Sequence, residues 1–308
     1  MTNEGVNPIS FIRRTVRRIL ITSPFLLIDA LIRQYSRLLS LLDTRFEVEW
    51  VDFKSKTSRD NFREITHNGL SGRLTLKLFC PNKTTDFRAR TFSTKEPETL
   101  SWLDEYTTDN FVLFDIGANI GLYSMYFAKA GNGKVVAFEP NILNLLPLVQ
   151  NINANNLQDR IVLIPMPLTD QNTMSNFLLS DFELGSAMSA FGSDYGWDGN
   201  KLNTIASYRT TGVSIDNLLQ LFPDLGKPNL IKLDVDGIES LILQGGMATL
   251  SSPNVRSILV EVNPQLDSNK ALIEEILRSL GFSKRQVVRG GGNNQIWDKT
   301  PKTQVTRT

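Results

Sequence analysis

The sequence predicts a doubly wound α/β fold built on a mostly parallel seven-stranded sheet, and three observations carry that prediction. Short stretches at 111–116, 134–139, 160–164, 229–234 and 255–262 are rich in Val, Ile, Leu and Phe and show almost no polar alternation. Strands that read this way are covered on both faces, as parallel strands are. Helical patterns near 120–130, 141–155, 238–250 and 268–280 separate them, the order expected of successive strand-helix-strand units. Finally, 308 residues with 41% apolar and 21% charged side chains can cover both faces of such a sheet and leave an appendage.

The appendage comes first. Over residues 1–44, Ile9, Ile12, Val16 and Ile19 recur at helical spacing with Arg13, Arg14, Arg17 and Arg18 between them. Ser23-Pro24 then starts a second helix running to about Leu42, so a helical hairpin is expected. Two readings of it stand: a helix pair packed on the main domain or a second subunit, or a basic amphipathic anchor in which residues 9–42 make peripheral contact with an anionic membrane. The uncharged run 19–28 is about half the length of a spanning helix and contains Pro24, so no transmembrane segment is expected. A cytoplasmic protein follows, peripheral at the inner membrane face if the anchor reading holds.

Residues 45–110 read as a small β lead-in, with Phe46, Val48 and Trp50 alternating on one strand and Leu74, Leu76 and Leu78 on another. Pro97, followed by Leu100, Leu103 and Tyr106, marks a short helix. The main domain is expected over 111–298, with the last two strands at 282–288 and 295–297 and a basic, disordered tail at 299–308. Within it the stretch 183–200, rich in Gly, Ser and aromatics, breaks the alternation and reads as a long surface loop or lid in which Tyr195 and Trp197 can close over a ligand or pack beneath the loop.

Composition excludes several functions. A net charge of +1 provides no field to recruit nucleic acid, so no nucleic-acid partner is expected. Cys80 is the single cysteine, which rules out an internal disulfide, and His67 is the single histidine. Metal sites built on several imidazoles, Ser-His-Asp triads and Cys-His nucleophile pairs are hard to assemble from that inventory.

Chemistry concentrates at the end of the first main strand, in Asp115-Ile-Gly-Ala-Asn-Ile-Gly121, where open α/β sheets bind ligands. Gly117 and Gly121 permit close backbone approach, Ala118 adds little bulk, and Asn119 can donate or accept. The spacing is not that of a dinucleotide-binding turn, and Asp115 before the first glycine suits a cationic amino acid better than a pyrophosphate. S-adenosyl-L-methionine carries an ammonium and a sulfonium, so it is the favoured cofactor over NAD. Glu139 ends the second strand in Val135-Val-Ala-Phe-Glu-Pro140, where an acid can accept both ribose hydroxyls. Asp170 follows the third strand and is placed for an adenine amino group or for a turn.

These motifs, with Ile231-Lys-Leu-Asp-Val-Asp-Gly-Ile-Glu239 and Leu259-Val-Glu-Val262, resemble the FkbM-type methyltransferases over roughly 111–285. The resemblance implies a Rossmann-like class I methyltransferase sheet with a reversed last strand. It also implies S-adenosyl-L-methionine as donor and O-methylation of a hydroxyl on a sugar, glycan, lipid-linked or secondary-metabolite acceptor. Asp236 departs from the family's usual Glu, keeping the charge with a shorter reach.

Lys232, Asp234 and Asp236 alternate along the end of the fourth strand and into its turn, so three charges share one side near the cofactor cleft. Asp234 is the first candidate to orient the acceptor or accept its proton, Asp236 the second, and Lys232 the charge that tunes both. An internal Lys232 to Asp234 ion pair is the plainer alternative. Glu239 starts a helix and Glu261 ends the next strand, each with a structural reading beside the functional one. Two acids without a third ligand give no metal site. The remaining functional alternatives are an NAD-dependent oxidoreductase and a membrane-associated cofactor-binding protein without catalysis.

Overall fold

A computed structural model describes residues 26–35, 37, 61–196, 199–263, 267–286 and 293–299. The chain divides into two compact units, Met1–Asp60 and Asn61–Thr308. In the first, residues 26–35 are helical, and Asp29 accepts from Arg33 one turn later at 2.7 Å. The first helix of the expected hairpin and the strand expected around Trp50 lie outside the described residues. No described helix is long and apolar enough to cross a membrane.

The second unit begins with a hairpin, β1 (Phe62–Gly69) and β2 (Gly72–Phe79), in register from Phe62↔Phe79 to Gly69↔Gly72. The strand read from Leu74, Leu76 and Leu78 is therefore present, but its partner is residues 62–69. Phe62 and Ile65 are the only large apolar residues of β1, too few to show an alternation. His67 is packed rather than solvated: its Nδ1 lies 2.9 Å from Ser93 Oγ and its ring meets Phe92 and Tyr126 edge-on.

Two helices follow, α1 (Lys83–Lys95) and α2 (Pro97–Asp104). Only α2 was legible as a helix, through its leading proline. Helix α1 starts at a capping box in which Asn82 Oδ1 accepts from the Thr85 amide and Thr85 Oγ1 accepts from that of Asn82. Its buried face is just Thr85, Ala89 and Phe92, so no apolar stripe announces it.

The central sheet alternates with helices as read: β3 (Val112–Ile116), α3 (Leu122–Ala130), β4 (Lys134–Phe138), α4 (Ile142–Ala154) and β5 (Ile161–Ile164). After an insertion come α5 (Ile215–Leu221), β9 (Leu230–Leu233), α6 (Glu239–Gln244), α7 (Met247–Ser251), β10 (Ser257–Glu261), α8 (Asp267–Ser279), β11 (Phe282–Lys284) and β12 (Asn294–Lys299). The sheet order is β11-β12-β10-β9-β3-β4-β5, with every pairing parallel except those of β12. Apolar cores lie on both faces, one around Trp102, Tyr126 and Leu148 and the other around Phe114, Ile258 and Trp297.

Three expectations are corrected here. The single helix read over 238–250 is two, broken at Gly245-Gly246 because Gly245 passes so close to the backbone that a Cβ there would lie 2.1 Å from the Thr169 carbonyl oxygen. Lys299 belongs to β12 rather than to a tail, and its Nζ donates to the Leu250 carbonyl at 2.7 Å. The loop read over 183–200 contains β7 (Ser189–Phe191), which pairs with β6 (Thr173–Leu179), itself paired with β8 (Ala206–Gly212), in a separate antiparallel sheet. Phe177, Leu179 and Phe191 form its small core, against which Leu143 and Ile238 pack.

Candidate active site

Strand order reverses between β3 and β9, so the carboxyl ends of these strands open a crevice. The turn leaving β3 is left-handed at Gly117 (φ 84), Asn119 (φ 51) and Gly121 (φ 81). Gly117 has no substitute: a Cβ would lie 1.9 Å from the carbonyl oxygen of Asp234, so β3 and β9 touch through bare backbone. Gly121 is the N-cap of α3 and has no side chain to cap it; the buried Asp115 carboxyl instead reaches the first turn of that helix at Ser124.

Glu139 fastens this turn. One carboxylate oxygen accepts from the Asn119 amide at 2.6 Å and the other from the Asn141 amide at 2.8 Å. Burial pushes the carboxyl up to about 7 even though both amides favour its ionised form. A carboxylate has four lone-pair directions, so these bonds leave acceptor capacity toward the cavity. Asn119 Nδ2 and Asn144 Nδ2 both donate to the Ser186 carbonyl, at 2.7 and 3.1 Å, and draw the segment after β6 over the turn. From the other side Asn82 Nδ2 donates to the Leu184 carbonyl at 2.9 Å and Arg88 Nε to that of Gly185 at 2.6 Å. What reads as a surface loop or lid is thus held by these four bonds at Leu184, Gly185 and Ser186.

The charges on β9 are arranged asymmetrically. Lys232 is 1% exposed and donates to Asp234 Oδ2 at 2.6 Å. Burial disfavours its charge, but Asp234 and Asp115 outweigh that and hold the ammonium above its usual range. The Asp234 side chain keeps 30% exposure. Burial works against its ionised form, yet Lys232 and a hydrogen bond from Glu261 hold it down at about 2. Glu261 is its complement, pushed up to about 9 by burial and by ionised Asp234, and so protonated at neutral pH. Asp236 Oδ2 accepts from the Ser189 amide at 3.0 Å, and burial together with Asp234 raises it to about 6. Glu239, raised by burial to about 8, turns back to accept from the Gly237 amide at 3.2 Å.

A cavity of about 330 Å³ opens among these groups, walled by Gly117, Asn119, Glu139, Pro140, Asp234, Asp236 and Glu261. Met166, Pro167 and Leu168 line its apolar end, and Phe177, Met188 and Phe191 of the insertion cover it. Ala118 and Lys232 face a smaller neighbouring cavity of about 50 Å³. Asp115, Gly121 and Asp170 line neither. Asp115, expected at the donor, is 1% exposed; its Oδ2 accepts from Ser124 Oγ at 2.5 Å, and its Oδ1 is buried without a hydrogen-bond partner among the described residues. It stands opposite Lys232 across the β3/β9 ladder and serves that ammonium. Asp170 is exposed and accepts from Thr169 Oγ1 at 3.0 Å, a turn residue. Trp197 lies outside the described residues, and Tyr195 is exposed at 58%. Arg88 and Lys95 of α1 line both cavities and escaped sequence reading because that helix did. Among the described residues, no three His, Cys, Asp or Glu group around a metal position.

A sheet with this strand order, its one reversed strand second from the edge and an acidic glycine turn at the switch point, is that of the class I S-adenosyl-L-methionine-dependent methyltransferases. Residues 115–285 match the methyltransferase FkbM domain, more than half of the chain, which therefore belongs to the FkbM methyltransferase family. Over 172 residues it is 30% identical to the hexuronic acid methyltransferase AglP of Haloferax volcanii, a match covering 56% of this chain and 64% of that protein. The chain thus spans just under two thirds of that relative's length. Among solved structures it is similar to methyltransferase FkbM from Methylobacillus flagellatus KT (17% identity, TM-score 0.42, 62% of this chain and 44% of that one). Another is the magnesium protoporphyrin IX methyltransferase of Synechocystis PCC 6803 with bound SAM (13% identity, TM-score 0.38, 70% of this chain and 82% of that one).

Proposed function

We propose that this methyltransferase methylates a hydroxyl oxygen of a sugar or sugar-like acceptor, with Asp234 as the group that orients and deprotonates it. The observation that carries the reading is the Asp234 carboxylate at the cavity wall, bonded by Lys232 Nζ at 2.6 Å and sharing that wall with Glu261. The relative named as a hexuronic acid methyltransferase supports a sugar as the acceptor class.

The residues present fit S-adenosyl-L-methionine. Glu139 offers an acid for two ribose hydroxyls, Met166 to Leu168 an apolar bed for a base, and the Gly117 turn a stretch of backbone that no side chain blocks. Once bound, the donor supplies a methyl group on a positively charged sulfur, open to attack by an oxygen in line with the departing thioether. Asp234 accepts a hydrogen bond from the acceptor hydroxyl, and its negative charge favours that hydroxyl as it becomes acidic. A carboxyl held at about 2 is a weak resting base. Alignment therefore supplies most of the acceleration, and proton transfer accompanies rather than precedes attack. Phe177 of β6 and Phe191 of β7 cover the cavity and exclude water from the reacting atoms.

Calorimetric titration with S-adenosyl-L-methionine, S-adenosylhomocysteine and NAD is the first test, with micromolar binding of the first two expected. Asp234→Asn should keep that binding and lower turnover on a uronic acid or neutral sugar acceptor by about 10²-fold or more. A preference for NAD, or a methyl ester as product in place of a methyl ether, would overturn the reading.

A further inference from the structure

Three cations reach the donor end of the site, and two are already paired. Lys232 Nζ lies 2.6 Å from Asp234, and Lys95 Nζ lies 3.1 Å from Glu96. Arg88 is different. Its Nε donates to the Gly185 carbonyl, and among the described residues its guanidinium joins no ion pair. Burial lowers its pKa, with Asp234, Glu96 and Glu139 acting on it from a distance. A half-buried cation without a counter-ion is costly unless a ligand completes it. The smaller cavity beside it is lined by Arg88, Lys95 and Lys232, by Glu96 and Asp234, and by the turn from Gly117 to Ile120. Three cations against two carboxylates leave an excess of positive charge there, and among the described residues the Arg88 guanidinium is the one of the three outside any ion pair, which favours an anion.

The donor has one anionic group, the carboxylate at its amino-acid end. Glu139 marks the ribose end of the cavity, so the amino-acid end falls beside Asp234 and the smaller cavity. We propose that Arg88 is the residue that binds the donor carboxylate, its Nε holding the 181–190 segment while the rest of the fork takes the ligand. An arginine suits this double duty because its donors are fixed in one plane. The residue lies outside 115–285, so donor recognition extends into the part of the chain that the family match does not cover. The inference rests on S-adenosyl-L-methionine being the donor.

The experiment is titration of the full chain, wild type, Arg88→Ala and Arg88→Lys, with S-adenosyl-L-methionine and with its decarboxylated analogue. Wild type should bind the carboxylated ligand about 10- to 100-fold more tightly, the range of one charge-assisted pair. Arg88→Ala should level the two by losing affinity for the carboxylated ligand alone, and Arg88→Lys should recover part of the difference. Equal weakening of both ligands would overturn the proposal and leave Arg88 as a prop for the loop. Unchanged binding of both, with a raised KM for a carboxylated acceptor, would overturn it in favour of the acceptor. If Arg88→Ala does not fold, failure of Arg88→Lys to reduce the discrimination would overturn it. Wild type binding neither ligand nor S-adenosylhomocysteine would bring down the donor assignment itself, a result distinct from any arginine-specific outcome.

Discussion

Lys232 holds Asp234 below the usual carboxylate range, while burial and the charge of Asp234 push the neighbouring Glu261 well above it. Turnover that needs the first ionised and the second neutral is expected to hold through neutral pH and fall as pH rises through about 9. A rate profile should show that limb, and Glu261→Gln should remove it. The buried acids also set stability. Glu139, Glu239 and Glu261 rise from 4.5 to about 7, 8 and 9, so each binds its proton more tightly in the folded chain. Their contribution is complete below the unfolded value and is lost as pH climbs through the folded ones. Urea midpoints should therefore decline between pH 5 and 9, and Glu239→Gln should flatten the slope. A midpoint that rises over this interval would refute the assignment. At Gly117 the constraint is steric: Gly117→Ala forces a Cβ onto the Asp234 carbonyl at positive φ, and a loss of about 3 kcal/mol or more is expected in the same denaturation.

At the level of elements, β2 and α4 are joined by asparagines. Asn151 accepts from the Phe79 amide at 2.6 Å and donates to the Ile120 carbonyl at 2.8 Å, so one buried side chain links the lead-in hairpin to the ligand turn. Asn151→Ala strands two backbone groups and should cost about 2–4 kcal/mol, read as a lower melting temperature. How much of this could be read from sequence differs by element. The central strands were legible because burial on both faces leaves unbroken apolar runs, as in Val135-Val-Ala-Phe. β1, α1 and the β6-β7-β8 sheet were not, because each buries few side chains: β8 alternates intermediate and exposed positions almost throughout. The candidate site divides in the same way. Glu139 and Asp234 stand at strand ends whose strands were readable, whereas Arg88 and Ser186 reach the cavity through α1 and a loop whose placement depends on side-chain ties. Asp115 stands at the end of the readable β3, but strand periodicity does not say which way a terminal residue faces, and its side chain is enclosed beneath the turn.

For the whole molecule, every residue lining the two cavities falls between Arg88 and Asn293, inside the unit Asn61–Thr308. A chain shortened to that unit is expected to bind S-adenosylhomocysteine as the full chain does, within about twofold by titration; a larger loss would place part of the site in residues 1–60. Vesicle flotation of both forms tests the membrane reading of residues 9–42, which requires the short form to stay at the bottom of the gradient.

The meeting of β3 with β9 also has a consequence in time. The strands are adjacent in space, yet more than a hundred residues separate Ile116 from Leu230, and the Gly117–Asp234 contact closes that loop. During synthesis the first half of the pocket emerges well before the second exists, so a newly made chain passes through a long interval in which it cannot recognise its donor. The nucleoside cannot serve as a template for the early strands. It can only trap the sheet after the late strands have inserted, and its effect should appear as slower unfolding rather than faster folding.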